Sequence, residues 1–255
     1  METHELLDRL EIIYPTSSFI ADLRKAIVSN DQYALFRLIQ GKKDTQFIEA
    51  LRKFKHDKSF DTDCISRGQL QSKIWLLTEL SKKCDDLGTV FLCAGWYATL
   101  ATMIFESKLK VNKIRSFDID ETCVKIAETF NFPWYQKEWK FKALTQDIMD
   151  IDYNEHKWQY WSNKNNRMSY PIVEKPDTII NTSCEHIKDF KEWYSKIPKG
   201  KLIVLQSNNF FEVEEHVNCV NDLVEFAEMS PLTETLYEGE LELVKYKRFM
   251  RIGIR

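Results

Sequence analysis

The chain has 255 residues, of which 44% are hydrophobic and 29% charged, and its formal net charge is −3. This composition suits one large α/β domain, or such a domain with an extension, rather than a disordered or fibrous protein. Only 7 glycines and 6 prolines argue against long linkers, and the near-balanced charge excludes a protein that coats duplex nucleic acid by charge alone.

In chain order, Met1–Arg9 is polar and acidic, without the basic-then-apolar pattern of a leader, so none is expected. Residues 1–60 carry helical signals and no strand signals. Asn30 or Asp31 caps a helix through Tyr33–Gln40, with Gly41 just past its end. Thr45 opens another, with Phe47, Ile48, Leu51 and Phe54 at helical spacing. A third helix runs over Ser66–Lys82, and Asp85–Gly88 is a turn.

From there strands and helices alternate. Strands are predicted at Thr89–Ala94, Lys113–Phe117, Trp139–Thr145, Thr178–Asn181 and Lys201–Leu205. Helices are predicted at Tyr97–Ser107, Glu121–Asn131, Asp189–Lys196 and Val213–Met229, and two extended segments, Thr233–Leu243 and Lys247–Ile254, close the chain. Alternation implies a parallel sheet with right-handed crossovers, and the closing pair implies an antiparallel hairpin at one edge. No run approaches the ~20 apolar residues that span a bilayer. The six cysteines are scattered without a C-x-x-C pair, so they read as reduced thiols in a cytoplasmic setting, with no zinc site and no other metal ligand set.

The most informative stretch is an apolar run, Val90–Ala94, then Gly95 and a helix, then a second apolar run, Ile114–Phe117, ending in Asp118-Ile119-Asp120. In a βαβ unit this brings a helix start close to an acid able to accept from ribose hydroxyls. A pyrophosphate would call for G-x-G-x-x-G, which the turn Cys93-Ala94-Gly95-Trp96-Tyr97 lacks. S-Adenosylmethionine carries no phosphate and tolerates a turn with a single glycine.

Over about Ser66–Arg255 the order of these features resembles the class I S-adenosylmethionine-dependent methyltransferases. The resemblance implies a Rossmann-like, mostly parallel seven-stranded sheet with helices on both faces and an antiparallel C-terminal strand, residues 1–65 being a helical extension. It implies that Ala94, Gly95, Trp96 and Tyr97 approach the methionine part of the cofactor, that Asp118 with Ile119 holds the ribose, and that Asp147-Ile148 lies near the adenine. It further implies that the fourth strand, introduced by Asp177, ends over the transfer site at Asn181-Thr182. The segments Glu185-His186-Ile187, Pro198–Leu202 and Tyr246–Ile254 also look like that family's route into its fifth strand and its reversed last strand.

Methyl transfer from a sulfonium is an in-line displacement, needing alignment, exclusion of water and, for a protonated acceptor, a base. The segment Asn181–His186 offers an amide, two hydroxyls, a thiol, an acid and an imidazole at a strand's carboxyl end. Asn181, Glu185 and His186 are the catalytic candidates; as structural groups, Glu185 would cap a helix and His186 would satisfy a carbonyl. Asn181-Thr182-Ser183-Cys184 matches only the first position of the D/N-P-P-Y/F signature of amino-group base methylation.

Gln206–Asn209 follows the fifth strand, as substrate-reading amides or as turn residues. His216 and Cys219, on the following helix, read as packing residues. Arg67, Gln69 and Lys73 either meet the cofactor carboxylate or form a wet helix face. Tyr153–Tyr170, rich in aromatics and amides, reads as a surface excursion packed on the helical extension, or as a base-stacking platform for single-stranded nucleic acid.

The expectation is a cytoplasmic S-adenosylmethionine-dependent methyltransferase acting on a small polar molecule or a nucleic-acid component, without membrane partners. Residues 1–65 would cover the site or mediate self-association. The same residues admit an aminocarboxypropyl transferase, and a non-catalytic binding or assembly protein whose pocket is filled by Trp96 and Tyr97.

Overall fold

The short apolar runs become strands because side chains alternate across a sheet buried on both faces. In the computed structural model, Val90 and Leu92 join one core with Leu76, Leu80, Ile104, Ile114, Ile180, Val204 and Ile252. Their neighbours Phe91 and Cys93 join a second core with Phe117, Ile179, Trp193, Ile203, Phe226 and Phe249. The structure describes residues 7, 8, 11, 17–40, 45–137 and 139–255. Gly41 and most of Met1–Arg9, where a helix stop and the lack of a leader were expected, lie outside them.

The chain forms two units, residues 1–74 and 75–255. The first holds α1 (Ser18–Val28), α2 (Gln32–Gln40) and α3 (Gln46–Phe54). Asp31 caps α2 by accepting from Ala34 N–H at 3.0 Å, and Thr45 caps α3 by accepting from Ile48 N–H at 3.3 Å. The fully buried stripe of α3 is Phe47, Ala50 and Phe54, turned slightly from the expected one. The long helix α4 (Arg67–Lys83) crosses the boundary between the units.

The second unit contains β1 (Thr89–Cys93), α5 (Thr99–Glu106), β2 (Lys113–Asp118), α6 (Thr122–Phe130), α7 (Phe132–Gln136) and β3 (Phe141–Thr145). After an excursion come β8 (Thr178–Asn181), α8 (Phe190–Lys196), β9 (Leu202–Asn208), α9 (Leu223–Met229), β10 (Glu234–Glu242) and β11 (Lys247–Ile254). The seven-stranded order is β10-β11-β9-β8-β1-β2-β3. Only β11 runs against the rest, pairing antiparallel with both β9 and β10. The chain winds outward from β1 to β3 and returns to β8 on β1's other side, so the topological switch point lies between β1 and β8. In open α/β sheets, ligands bind beyond the strands' carboxyl ends at that point. Among the described residues no helix is long and apolar enough to cross a membrane.

The structure corrects several expected bounds. The third strand starts at Phe141 because Trp139 has φ +55°, which breaks the extended backbone, and its ring lies against Trp158 and Tyr160 at 5.4 and 4.2 Å between centroids. The fifth strand continues to Asn208, so Gln206, Ser207 and Asn208 are buried in the sheet opposite β11 rather than in a turn. The helix expected over Val213–Met229 is confined to Leu223–Met229. Asp222 supplies a new cap for Glu225 N–H (2.9 Å), while Asn218 and Val220 donate instead to the carbonyls of Glu185 and Asn208.

The excursion contains four short strands, β4 (His156–Trp158), β5 (Trp161–Ser162), β6 (Arg167–Met168) and β7 (Ile172–Glu174). It is held to the edge of the sheet by a buried charge cluster. Arg115 of β2 donates through Nε and a terminal nitrogen to the two Glu174 oxygens at 2.6 and 2.7 Å, and Trp158 Nε1 donates at 2.9 Å. His156 is buried edge-on to Phe91 and Phe117, and this burial lowers its pKa from the usual 6.5. A folded pKa below the unfolded value means the unfolded chain binds more protons. His156 therefore contributes stability above about pH 6.5 that is lost as pH falls through the folded value. Melting temperatures recorded across that range should fall less steeply for His156→Leu than for the wild type. Equal slopes would show that His156 is not held neutral.

Candidate functional site

The carboxyl ends of β1, β2, β3 and β8 share one edge, with Cys93 level with both Phe117 and Asn181 and Asp118 level with Thr145. The turn after β1 is tied to β2. Gly95 N–H donates to the Phe117 carbonyl at 2.9 Å, and Trp96 N–H donates to Asp118 Oδ2 at 2.7 Å. Asp118 Oδ1 also accepts from Asp120 N–H at 3.1 Å. A carboxylate has about four lone-pair sites, so these bonds orient Asp118 and leave acceptor capacity.

This turn follows a glycine-type path with few glycines. Ala94, Trp96 and Ala98 have φ of +50°, +48° and +50°, alternating left-handed residues of a kind that cost about 1 kcal/mol or more each. Gly95 is required for a different reason: a Cβ there would stand 2.1 Å from Ser116 Oγ and 3.2 Å from the Leu92 side chain. Trp96 and Tyr97 stack at 4.7 Å, with Tyr97 buried. Ala98 precedes α5 without a side-chain cap, leaving the positive end of that helix at the crest.

Beside Asp118, Ile119 is 74% exposed, a large apolar side chain at the carboxyl end of β2. Asp120 Oδ1 accepts from Thr122 N–H at 2.8 Å, in the turn that leads into α6. Asp147 caps a short 3-10 turn by accepting from Met149 N–H at 2.8 Å, while Ile148 is buried in the second core. Asp177 accepts from Thr89 N–H at 2.9 Å and so ties the start of β1 to that of β8.

At the end of β8, Asn181 is fully buried. Its Oδ1 accepts from Ser183 N–H at 2.8 Å, and its Nδ2 has no protein acceptor among the described residues. Such an orphan donor costs about 1–3 kcal/mol unless a ligand or water accepts from it. Half-buried Thr182 turns its carbonyl to Arg248, which donates at 3.1 Å. Glu185 is 1% exposed, so it faces inward and caps no helix. Its Oε1 accepts from Asn208 Nδ2 at 2.6 Å and from Arg248 at 2.9 Å. The buried guanidinium and amide thus fix this carboxylate within the turn. His186, the exposed member, turns Nδ1 to the Glu215 carbonyl at 3.1 Å. Desolvation first, then the neighbouring charges including His216, lowers its pKa below 6.5, although Glu185 acts in the opposite sense.

Cys184 is fully buried with its thiol pushed well above the usual range by that burial, which makes it inert as a nucleophile. Arg67 donates to Asp31 at 2.9 Å, and Lys73 donates to Gln69 Oε1 at 2.7 Å, so both cations are engaged within the first unit. Sequence reasoning gave no site role to Arg248 or His216, and it placed Asn208 among substrate-reading amides where the structure uses it to hold Glu185. His216 lies in the loop after β9 with its ring 4.7 Å from that of His186.

Solved structures match this architecture. The magnesium protoporphyrin IX methyltransferase of Synechocystis PCC 6803 with bound S-adenosylmethionine superposes with TM-score 0.51 at 12% identity, over 88% of this chain and 97% of that one. The fold is that of class I S-adenosylmethionine-dependent methyltransferases. N-methyltransferase NodS of Bradyrhizobium japonicum WM9, in complex with S-adenosylhomocysteine, gives 0.50 at 9% identity over 83% and 99% of the two chains. A putative sarcosine dimethylglycine methyltransferase of Galdieria sulphuraria gives 0.50 at 10% identity over 73% and 86%. No family model matches the sequence, and no curated protein matches it. The methyltransferase fold therefore rests on three-dimensional likeness, with the antiparallel last strand where the resemblance implied it.

Proposed function

We propose that this protein is an S-adenosylmethionine-dependent methyltransferase whose acceptor is a small polar molecule or a nucleic-acid component. The observation that carries the reading is the wiring of one crest: a carboxylate at the end of β2, Asp118, fixed by the Trp96 N–H of the turn after β1 with acceptor capacity to spare. The residues present fit the cofactor. Asp118 suits ribose hydroxyls, exposed Ile119 suits a flat purine face, the uncapped start of α5 suits a carboxylate, and the orphan Asn181 Nδ2 suits a ligand acceptor.

When bound, the sulfonium supplies an electrophilic methyl group. The chain's part is to hold Asp118 in register, to exclude water with the Trp96–Tyr97 pair, and to orient the acceptor from Asn181 on a turn fixed from within by the buried Glu185–Arg248 pair. His186, exposed on the turn after β8, is placed to orient the acceptor. The neighbours act on chemically different acceptors, so the acceptor class rests on the polar lining of the crest alone.

Titration calorimetry of the wild type with S-adenosylmethionine tests the reading. Binding is expected, and Asp118→Ala should weaken it by about 1–3 kcal/mol, the worth of a hydrogen bond to a charged group. A wild type that does not bind the sulfonium overturns the proposal. Product analysis separates the two transfer chemistries: S-adenosylhomocysteine marks methyl transfer and methylthioadenosine marks aminocarboxypropyl transfer.

A further inference from the structure

The 3-10 turn after β8 places Glu185 inward and His186 outward, and the loop after β9 brings His216 back against them. That loop is pinned to the turn: Asn218 donates from its backbone N–H to the Glu185 carbonyl at 2.8 Å and from Nδ2 to the Cys184 carbonyl at 3.1 Å. One ligand atom from each of Glu185, His186 and His216 lies within 4.8 Å of the others.

Three further observations point to an ion. His186 Nδ1 faces the Glu215 carbonyl at 3.1 Å and His216 Nδ1 faces the Phe210 carbonyl at 2.8 Å. A carbonyl only accepts, so each ring donates through Nδ1 and keeps the lone pair on Nε2, the arrangement in which an outer hydrogen bond orients a metal-binding imidazole. Glu185 is 1% exposed, and its Oε2 is buried without a hydrogen-bond donor among the described residues, while Oε1 is held by Asn208 and Arg248. The carboxylate thus has one oxygen fixed in place and one unsatisfied, in a residue that offers an oxygen within 4.8 Å of a ligand atom on each imidazole.

We infer that Glu185, His186 and His216 form a site for a divalent transition-metal ion of the zinc class. Two imidazoles and one carboxylate make the three-ligand set of an open site, whereas calcium and magnesium prefer all-oxygen sets. Donors about 2 Å from an ion stand roughly 3–3.5 Å apart, a contraction that side-chain rotation supplies. His186 is exposed, so the remaining coordination position opens to solvent on the crest beyond β8. The ion's use there rests on the proposed transfer reaction: it would hold an acceptor through an oxygen or nitrogen lone pair, which the Glu185–Arg248 pair alone does not do.

The test uses the full chain, stripped with chelator and then titrated with cobalt(II) and with zinc(II). One equivalent of zinc by elemental analysis is expected, together with the visible absorption of low-coordinate cobalt. His186→Ala and His216→Ala should each weaken uptake by more than the ~10–100-fold that loss of an outer-shell partner costs. Glu185→Gln should do the same, and Asp118→Ala should leave uptake unchanged. Substoichiometric uptake by the wild type, or full uptake by both histidine variants, overturns the site. The same preparations are titrated with S-adenosylmethionine. Metal uptake without sulfonium binding removes the transferase reading and keeps the site, and the converse removes the site alone.

Discussion

Replacing Arg115 by alanine should destabilise the protein by about 3–5 kcal/mol, the cost of stranding one member of a buried ion pair. Arg115 is 1% exposed in the middle of a strand, and it meets Glu174 with two short parallel bonds. Burial alone would push Glu174 upward, but the hydrogen bonds and charge of Arg115, with Trp158 and Lys113, bring its pKa down to about 2. Because the folded value lies below the usual 4.5, the pair contributes stability above that value, and the contribution is lost as pH falls toward 2. Urea unfolding near neutral pH should therefore show the full loss for Arg115→Ala. The gap between variant and wild type should narrow in acid, where a carboxyl without its cation protonates readily. Replacing both partners with apolar residues of similar volume should restore most of the stability. A single variant that unfolds at the wild-type midpoint would show that this pair does not hold the excursion to the sheet.

The second large effect is expected at Arg248. Arg248→Met removes the cation from Glu185, which is then left buried with Asn208 as its charge-stabilising partner, and the cost is again about 3–5 kcal/mol. Arg248 also donates to the Thr182 carbonyl, so the turn after β8 should loosen and S-adenosylmethionine binding should weaken with it. Glu185→Gln keeps an acceptor for Asn208 but leaves the Arg248 guanidinium buried without its anion, so it too should cost stability. In the sheet order, β2 and β11 are four strand steps apart, or about 19 Å. Losses from Arg115→Ala and Arg248→Met should therefore add. Urea titration of the double variant checks this, and strong non-additivity would mean that the two pairs share a network through the sheet.

The strand order and the carboxyl-end acids were legible in the sequence because periodicity and turn chemistry are local signals. Val90–Cys93, Ile114–Phe117 and Thr178–Asn181 are short apolar runs between turn residues, and the acid ending β2 does meet the turn after β1. What escaped depends on contacts remote in sequence. Nothing local tells that Arg115, between Ile114 and Ser116, faces a glutamate 59 residues away. Nor does local pattern reveal that Glu185 is claimed by Arg248, 63 residues on. His216 looked helical because Val213–Met229 carries helix formers, but backbone bonds from Asn218 and Val220 to Glu185 and Asn208 outweigh that propensity. The excursion's aromatics found partners in Trp139 and Arg115, where a one-dimensional pattern offers only a surface or a stacking platform.

The left-handed residues Ala94, Trp96 and Ala98 have a kinetic consequence. A glycine-rich turn wanders among conformers and must be frozen each time a guest arrives. Here the awkward shape is imposed once, when the chain folds, by bonds to Phe117 and Asp118. Capture of a nucleoside then requires little rearrangement, so association is expected to be fast and single-phased, with affinity differences among analogues residing in how quickly they leave.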